Sequence, residues 1–489
     1  MKNHPPAKAP SPLLSLAPVG ALVGLLFVTI RIFGNDTLEG ASQIALLLAT
    51  AICSLIAITC CGVRWQAIET AIVHNITSVA SALLILLLIG ALSGSWMASG
   101  VIPTLIYYGV RMIHPDYFLA STCLICAFVS LMTGSSWTTV ATIGIALVGV
   151  GKVQGFGDGW IAGAIISGAY FGDKISPLSD TTVLAASVTG TPLFRHIRYM
   201  LITTTPSLAI ATCVYLTIGF SHTSVSFMEI DTFIHALEQS YHISPWLLTV
   251  PLLMGILIVR KVSPLITLSV SVMVAGVSAL IFQPDVLHRI AGEVTPDAAS
   301  LYKGVLSSIY GHTQMATGNA VLDGLTNTRG MAGMLNTIWL ILCAMCFGGA
   351  MSAGGMLSSI TSLFLRGMKR RTGTVAATVF SGLFLNICVA DQYLSIILNG
   401  NIFKSVFRQN GYESRLLSRS IEDSVTVTSP LIPWNTCGMT QASVLGISTF
   451  TYLPYCIFNL ISPLMSILVA ATGYRIRKIP VTEEQNTLT

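Results

Sequence analysis

Charge is what this sequence has least of. Asp, Glu, Lys and Arg together make up 9% of its 489 residues, against about 25% in an ordinary soluble domain. A soluble fold of this size needs far more polar surface, which excludes a water-soluble enzyme, a nucleic-acid binder and a disordered scaffold. A secretory signal is also missing. Residues 1–12 are polar and Pro-rich, with no short apolar core leading to a small-residue cleavage site, so the run 13–33 is read as a retained span. Metal-type cysteine clusters are absent too. All eleven cysteines sit in apolar runs, and the CxxC pairs Cys123/Cys126 and Cys343/Cys346 have no His or acidic residue beside them. They read as small core residues one helical turn apart rather than as ligands or redox centres.

Apolar sequence is abundant, at 53% of the chain. A spanning helix needs about 20 apolar residues, so the length allows roughly a dozen spans. The apolar segments run 13–33, 42–62, 73–112, 117–150, 159–190, 199–220, 245–260, 264–282, 331–365, 373–400, 421–450 and 452–473, with polar stretches at 221–244 and 283–330. The first polar stretch, with Glu229, Asp231, Phe233, Leu237 and Glu238, has the pattern of an amphipathic surface helix. Gly, Pro, Ser and Thr interrupt several long segments at 90–100, 134–139, 172–182 and 429–436. Lipid tolerates such breaks only where the freed backbone is buried in protein or lines a cavity.

The excess of 25 basic over 20 acidic residues is read as cytoplasmic loops. Arg195/Arg198, Arg260/Lys261, Arg366–Arg371, Lys404–Arg419 and Arg475–Lys478 form the basic loops, and the loops with Asp36/Glu39 and Glu229/Asp231/Glu238 are acidic. Placing the basic loops inside is consistent if 117–150 and 373–400 are re-entrant hairpins and each other segment crosses once. The expected architecture is then an all-α polytopic membrane protein, an inverted repeat with discontinuous helices and re-entrant hairpins. Residues 1–12 form a cytoplasmic tail, 13–220 the first repeat, 221–244 an extracytoplasmic linker, 245–473 the second repeat and 474–489 a second cytoplasmic tail. Local matches support a repeat: Ile89–Gly100 with Phe347–Gly355, Ser176-Pro177-Leu178 with Ser429-Pro430-Leu431, and Gly190 with Gly446. Broken helices at matching positions of two halves point to a transporter binding site.

Three acidic residues lie within apolar runs, Asp173, Asp180 and Asp391, and Glu422 and Asp423 open another. A charge in hydrocarbon costs several kcal/mol or more and normally faces a cavity with a task. The competing view is an Asp that caps a half-helix or pairs with a base, as Lys174 beside Asp173 invites. Around these carboxylates lie Ser176, Ser179, Thr181 and Thr182, with Pro177 expected to open the helix near 173–176 and free carbonyls. Ser135 and Ser136 are expected at the first hairpin tip, Asn386 with Asp391 at the second, and Asn435 beside Pro430 and Pro433. Oxygen donors of this kind suit a hard cation such as Na⁺, although a lone hydroxyl more often serves helix packing. Burial favours a protonated carboxyl and a bound cation favours the ionised one, so one site can exchange Na⁺ for H⁺. The nine histidines read as surface residues, and no Arg is expected inside the membrane.

The stretches AYFGDKISPLSDTT (Ala169–Thr182), LFRHIRYM (Leu193–Met200), GALSGSWMASGVIPTLIYYG (Gly90–Gly109), ADQYLSIILNG (Ala390–Gly400) and EDSVTVTSPLIPWNTCG (Glu422–Gly438) resemble the NhaC-type sodium/proton antiporter family. The resemblance runs from about residue 13 to 475. It implies an ion transporter with inverted repeats and re-entrant hairpins. The family's activities include Na⁺/H⁺ antiport and exchange of malate and protons for Na⁺ and lactate. One departure is Val183, where many relatives carry Asn.

The expectation is a secondary transporter of a bacterial cytoplasmic membrane that exchanges Na⁺ for H⁺ by alternating access, without a cofactor and not an enzyme. Asp173 and Asp180 would bind cation and proton alternately, Asp391 and Asp423 would contribute from the second half, and Ser135, Ser136, Ser176, Ser179, Thr181, Thr182, Asn386 and Asn435 would complete the shell. The expected partners are Na⁺, H⁺ and the lipid bilayer, with a small carboxylate and a second copy of the chain as options, and no nucleic acid. The runner-up couples the ions to a carboxylate such as malate or lactate, held by half-helix N-termini. An intramembrane aspartyl protease fits poorly, because Tyr170-Phe171-Gly172 precedes Asp173 in place of the Gly-x-Gly-Asp such enzymes carry. Carboxylates in broken helices of both halves favour alternating access over a passive channel.

Overall fold

A computed structural model describes residues 10–33, 40–222, 227–292, 297–364, 370–476 and 478. The described residues are overwhelmingly helical, and β pairing is confined to the isolated bridges Thr313–Thr328 and Tyr412–Lys478. An apolar chain meets this constraint because a helix satisfies its own backbone groups where no water is available. Nine of the described helices are long and apolar enough to cross a membrane. The count reaches eleven if two bent pairs, Met228–Ser240 with Pro245–Val259 and Thr449–Tyr455 with Ile457–Thr472, each form one broken span. Leu55, Phe128, Met273 and Leu464 turn outward from such helices, as a lipid-facing surface requires. The chain is a multi-pass membrane protein.

Element boundaries recur through the chain. Helix Pro115–Thr133 is matched by Arg371–Val389, each of 19 residues, and Asp180–Thr189 by Thr436–Leu445, each of 10. The helices starting at Ser136 and Asp158 are matched by those starting at Gln392 and Ser414. In all four cases the interval is 256 residues (115 to 371, 136 to 392, 158 to 414, 180 to 436). Left-handed residues punctuate both copies at the same places, Gly134 (φ 69°) with Ala390 (φ 60°) and Gly190 (φ 72°) with Gly446 (φ 67°). In this register Gly190 does correspond to Gly446, but the two Ser-Pro-Leu triplets lie three residues out of step. Asp173 corresponds instead to Ser429, and Ser136 to Gln392.

The two segments expected as hairpins are each divided at a tip. Pro115–Thr133 and Ser136–Val153 meet at 134–135, and Arg371–Val389 and Gln392–Gln409 meet at 390–391. Three of these arms, Pro115–Thr133, Ser136–Val153 and Arg371–Val389, have the length and hydropathy of a full crossing rather than of a half-helix. Charge parity counts crossings and carries no information about arm length. The helix Phe227–Ser240 is amphipathic as its sequence pattern implied, with Phe233, Ile234 and Leu237 buried and Asp231 and Glu238 exposed.

Tight packing sets the first tip in place. A Cβ on Gly172 would stand 2.3 Å from the Ala127 carbonyl oxygen, so helix Asp158–Ile175 lies against Pro115–Thr133 at backbone distance. A Cβ on Gly134 would stand 2.6 Å from the Leu178 carbonyl carbon, which brings the tip against the break at 176–179. The cysteines are free thiols, and both members of Cys123/Cys126 are buried in the apolar core.

Candidate functional site

The first half builds its site where one helix stops and another restarts. Helix Asp158–Ile175 ends before Pro177, and Asp180–Thr189 follows after Ser176–Ser179. Pro177 opens the helix there, as the sequence implied. The break is stitched by hydroxyls. Ser179 Oγ accepts the Thr182 N–H (3.4 Å) and is paired with Thr181 Oγ1 (2.9 Å), while Thr182 Oγ1 donates to the freed carbonyl of Lys174 (2.9 Å). Ser176 Oγ donates to the Leu131 carbonyl at 2.8 Å.

Into this break comes the tip. Ser135 caps the helix that begins at Ser136, accepting the Thr138 N–H at 3.2 Å. Ser136 then presents two donors to one oxygen of Asp173, its backbone N–H at 3.2 Å and its Oγ at 2.6 Å. Asp173 is buried, and Ser179 also lies within its reach. The result is a carboxylate among hydroxyls and carbonyls released from the helix ladder, a donor set of the kind a hard monovalent cation takes.

The second half repeats the layout with different chemistry. Asp391 caps the helix after the tip, with the Leu394 N–H 2.9 Å from Oδ1, and Thr436 Oγ1 donates to Oδ2 at 3.2 Å. The Thr436 N–H also holds the Ala390 carbonyl at 2.8 Å. Ser429 Oγ donates to Gln392 Oε1 at 2.8 Å, the positional equivalent of the Asp173–Ser136 contact with a hydroxyl in place of the carboxylate, an amide in place of the serine, and the direction of donation reversed. Asn435 caps Cys437 (3.1 Å) and donates to the Asn386 carbonyl (3.1 Å), and Asn386 donates to the Val425 carbonyl (2.7 Å). The two halves meet where Gln441 Nε2 donates to Tyr170 Oη (3.3 Å). Tyr393, on the second tip, lies within electrostatic reach of Asp173, Asp180 and Asp391 together.

Two expected site residues sit differently from the rest. Asp180 is exposed, at the first residue of its helix, where the N-terminal dipole favours a carboxylate. With Tyr393, also exposed, it forms the open edge of the group rather than its interior. Asp423 does not join the Asp173 oxygens. It pairs with Lys174, which leaves Asp173 to Ser136, so the base next to Asp173 in sequence serves a carboxylate 249 residues away. Thr203 (3.0 Å) and Ser462 (3.3 Å) also donate to Asp423 Oδ1.

Three buried groups stand beside this pair that the sequence did not place in the site, although Glu422 was noted at the start of an apolar run. Arg419, assigned to a basic cytoplasmic loop, is fully buried, with Nε 3.7 Å from Asp423 Oδ2 and its guanidinium carbon 4.7 Å from the Tyr199 ring centre. His196, read as a surface residue, is fully buried as well. Glu422 is buried in the π-helical turn Glu422–Thr426. A signal was present for Arg419: Leu416, Leu417, Ser420 and Ile421 around it are all buried, so helix Ser414–Ile421 belongs to the packed interior.

Comparison with known proteins places this geometry in context. A profile of the Na⁺/H⁺ antiporter family matches residues 168–474, which includes the carboxylates of both halves but not the serines of the first tip at 135–136. The chain is 36% identical to the Na⁺/H⁺ antiporter NhaC of Alkalihalophilus pseudofirmus over 85% of its own length and 87% of the relative's. It is 34% identical to the malate-2H⁺/Na⁺-lactate antiporter of Bacillus subtilis over 88% and 89%. It is 32% identical to the arginine/ornithine antiporter ArcD of Halobacterium salinarum over 97% and 94%.

Proposed function

The chain belongs to the Na⁺/H⁺ antiporter family, and on that premise we propose that it exchanges Na⁺ for H⁺ across a bacterial cytoplasmic membrane by alternating access. Asp173 is the cation-binding carboxylate. Ser136, Ser179 and the carbonyls freed at 173–176 complete its shell, Asp180 and Tyr393 form the entrance, and Asp391 with Thr436 provides the facing oxygens from the second half. The observation that carries this reading is the buried Asp173 carboxylate, set in a helix break and held by both donors of Ser136. Sodium turns the Ser136 hydroxyl proton out of the line of approach and takes the hydroxyl and carboxylate oxygens as ligands, while the Ser136 backbone N–H stays on Asp173. Discharge of the site occurs when proton uptake offsets the negative charge that holds the cation or the tip withdraws Ser136. Reconstituted protein in liposomes with an inward Na⁺ gradient tests the reading: proton efflux is expected, and no Na⁺-dependent proton movement at any pH would end it.

A second reading is supported by Arg419, whose three guanidinium nitrogens are buried without a hydrogen-bond partner among the described residues. Such a group suits a small carboxylate, and the Bacillus subtilis relative is named for malate and lactate. Uptake of radiolabelled malate or lactate under a Na⁺ gradient separates the two readings. Accumulation would favour carboxylate coupling, and its absence beside robust Na⁺-driven proton flux would leave plain cation exchange.

A further inference from the structure

Asp391 at the second tip aside, the described residues bury six Asp, Glu, His, Lys or Arg side chains: Asp173, Lys174, His196, Arg419, Glu422 and Asp423. All six belong to one centre. Lys174 pairs with Asp423, Arg419 approaches Asp423 from the preceding turn, His196 faces Lys174, and Glu422 lies in the field of Lys174, Asp173 and Asp423. The other helices packed on the Glu422 turn, 180–189, 371–389, 392–409 and 457–472, bring uncharged polar groups to their buried faces there, such as Thr182, Ser381, Asn399 and Ser462, and Asp180 stands exposed at the start of the first.

Within this centre Glu422 is set apart. Asp173 has the Ser136 donors and Asp423 has Lys174, Thr203 and Ser462, whereas neither oxygen of Glu422 has a hydrogen-bond partner among the described residues. The Thr426 hydroxyl lies within reach of that carboxyl without a close hydrogen bond between them, so Glu422 has at most this one weak donor. A fully buried carboxylate without a donor is strongly disfavoured, while the neutral acid is tolerated there. Burying an ionised one requires nearby positive charge, and Lys174 supplies it directly, with Arg419 one turn away on Asp423.

We infer that Glu422 carries the exchanged proton, at a position separate from the Asp173 cation site and coupled to it by charge balance through Lys174, Arg419 and Asp423. This rests on the Na⁺/H⁺ exchange reading above. With Glu422 neutral, the formal charges of Lys174, Arg419, Asp173 and Asp423 sum to zero. A Na⁺ at Asp173 adds one positive charge to a region without solvent. Loss of the proton from the Glu422 carboxyl to water restores neutrality, and the new carboxylate takes the unused donors of Arg419. Reprotonation of Glu422 from the opposite side restores the excess positive charge and expels the cation. One carboxyl O–H breaks and re-forms per cycle, and coupling needs no direct competition between ion and proton for one oxygen. The orphaned acceptors of Glu422 and orphaned donors of Arg419 are the two sides of that alternation.

The test separates Na⁺ handling from proton coupling. Liposomes carrying E422Q are assayed for Na⁺/Na⁺ exchange with radioactive sodium and for Na⁺-driven proton flux, and purified protein in weak buffer is assayed for protons released when Na⁺ is added. Wild type is expected to perform both exchanges and to release about one proton per Na⁺ bound. E422Q, fixed in the neutral state that expels the cation, is expected to lose proton flux and proton release and to need roughly tenfold more Na⁺ for half-maximal Na⁺/Na⁺ exchange, with that exchange retained at saturating Na⁺. Retained proton flux in E422Q overturns the inference, and so does Na⁺/Na⁺ exchange at wild-type Na⁺ affinity or its absence even at saturating Na⁺ in folded protein. His196 is the rival: proton release lost in H196Q but kept in E422Q assigns the role there instead. Should E422Q fail to fold, E422D decides, since a coupled exchanger with a displaced pH profile supports the role and an unchanged profile overturns it. A wild type without Na⁺-driven proton flux would refute the exchange reading itself, a distinct outcome.

Discussion

Removing Lys174 leaves the Asp423 carboxylate buried with hydroxyl donors from Thr203 and Ser462 and an Arg419 nitrogen at 3.7 Å. Both partners are fully buried, so water cannot replace the lost ammonium. Breaking a buried pair from one side costs about 3–5 kcal/mol. Lys174→Met is expected to lose that much stability. Asp423→Leu is expected to lose a similar amount, because it leaves Lys174 and Arg419 as like charges with their shared anion gone. Replacing both partners by apolar residues removes the pair's desolvation cost as well. The double variant Lys174→Met/Asp423→Leu should therefore lie closer to wild type than the summed singles, with a coupling of roughly 2 kcal/mol or more. The assay is reversible unfolding of detergent-purified protein in Na⁺-free buffer, read by fluorescence across a denaturant series. Single-variant effects that add to within about 0.5 kcal/mol would show that the two side chains do not act as a pair, and the charge balance built on them would lose its basis.

Other substitutions probe the cation group. Ser136→Ala removes the Oγ at 2.6 Å from Asp173 that serves Na⁺ as a ligand and keeps the backbone N–H, and loss of that ligand should raise the Na⁺ concentration for half-maximal flux roughly tenfold; an unchanged value would place Ser136 outside the site. Asp180→Asn is expected to weaken apparent Na⁺ affinity at low ionic strength and to approach wild type when choline chloride is raised, because an exposed charge acts through a screened field; a salt-independent loss would make it a direct ligand. Gly134→Ala and Gly190→Ala both force a side chain into left-handed backbone, at about 1–2 kcal/mol, but only the first meets an atom, the Leu178 carbonyl carbon at 2.6 Å, whereas nothing stands within 4 Å at Gly190. Gly134→Ala should thus lower both the thermal midpoint and Na⁺ affinity, Gly190→Ala the midpoint alone.

Much of the fold and part of the site could be read from the chain. Scarce charge and long apolar runs sufficed for a polytopic helical protein, since hydrocarbon admits few alternatives. Pro177 with its surrounding Ser and Thr announced the break at Asp173, because proline acts locally through its ring and missing donor. The contact from Ser136 to Asp173 was suggested only as two clusters of oxygens, and joining them needed the packing that Gly134 and Gly172 permit. The register of the repeat was displaced by the identical Ser-Pro-Leu triplets. Identity of three residues outweighed position there, while the element boundaries at a constant 256-residue interval align Asp173 with Ser429. Long-range electrostatics was the least legible part. Lys174 finds its partner 249 residues away, and Arg419 and His196 were counted as loop and surface residues because charge was taken as a sign of exposure.

The central claim, that the Asp173 carboxylate binds the cation that is traded for protons, is tested most directly by Na⁺-driven proton flux in everted vesicles carrying Asp173→Asn, with the amount of folded protein matched to wild type. Flux and Na⁺/Na⁺ exchange are both expected to disappear, with Asp173→Glu keeping a measurable fraction. Wild-type flux in Asp173→Asn would contradict the account.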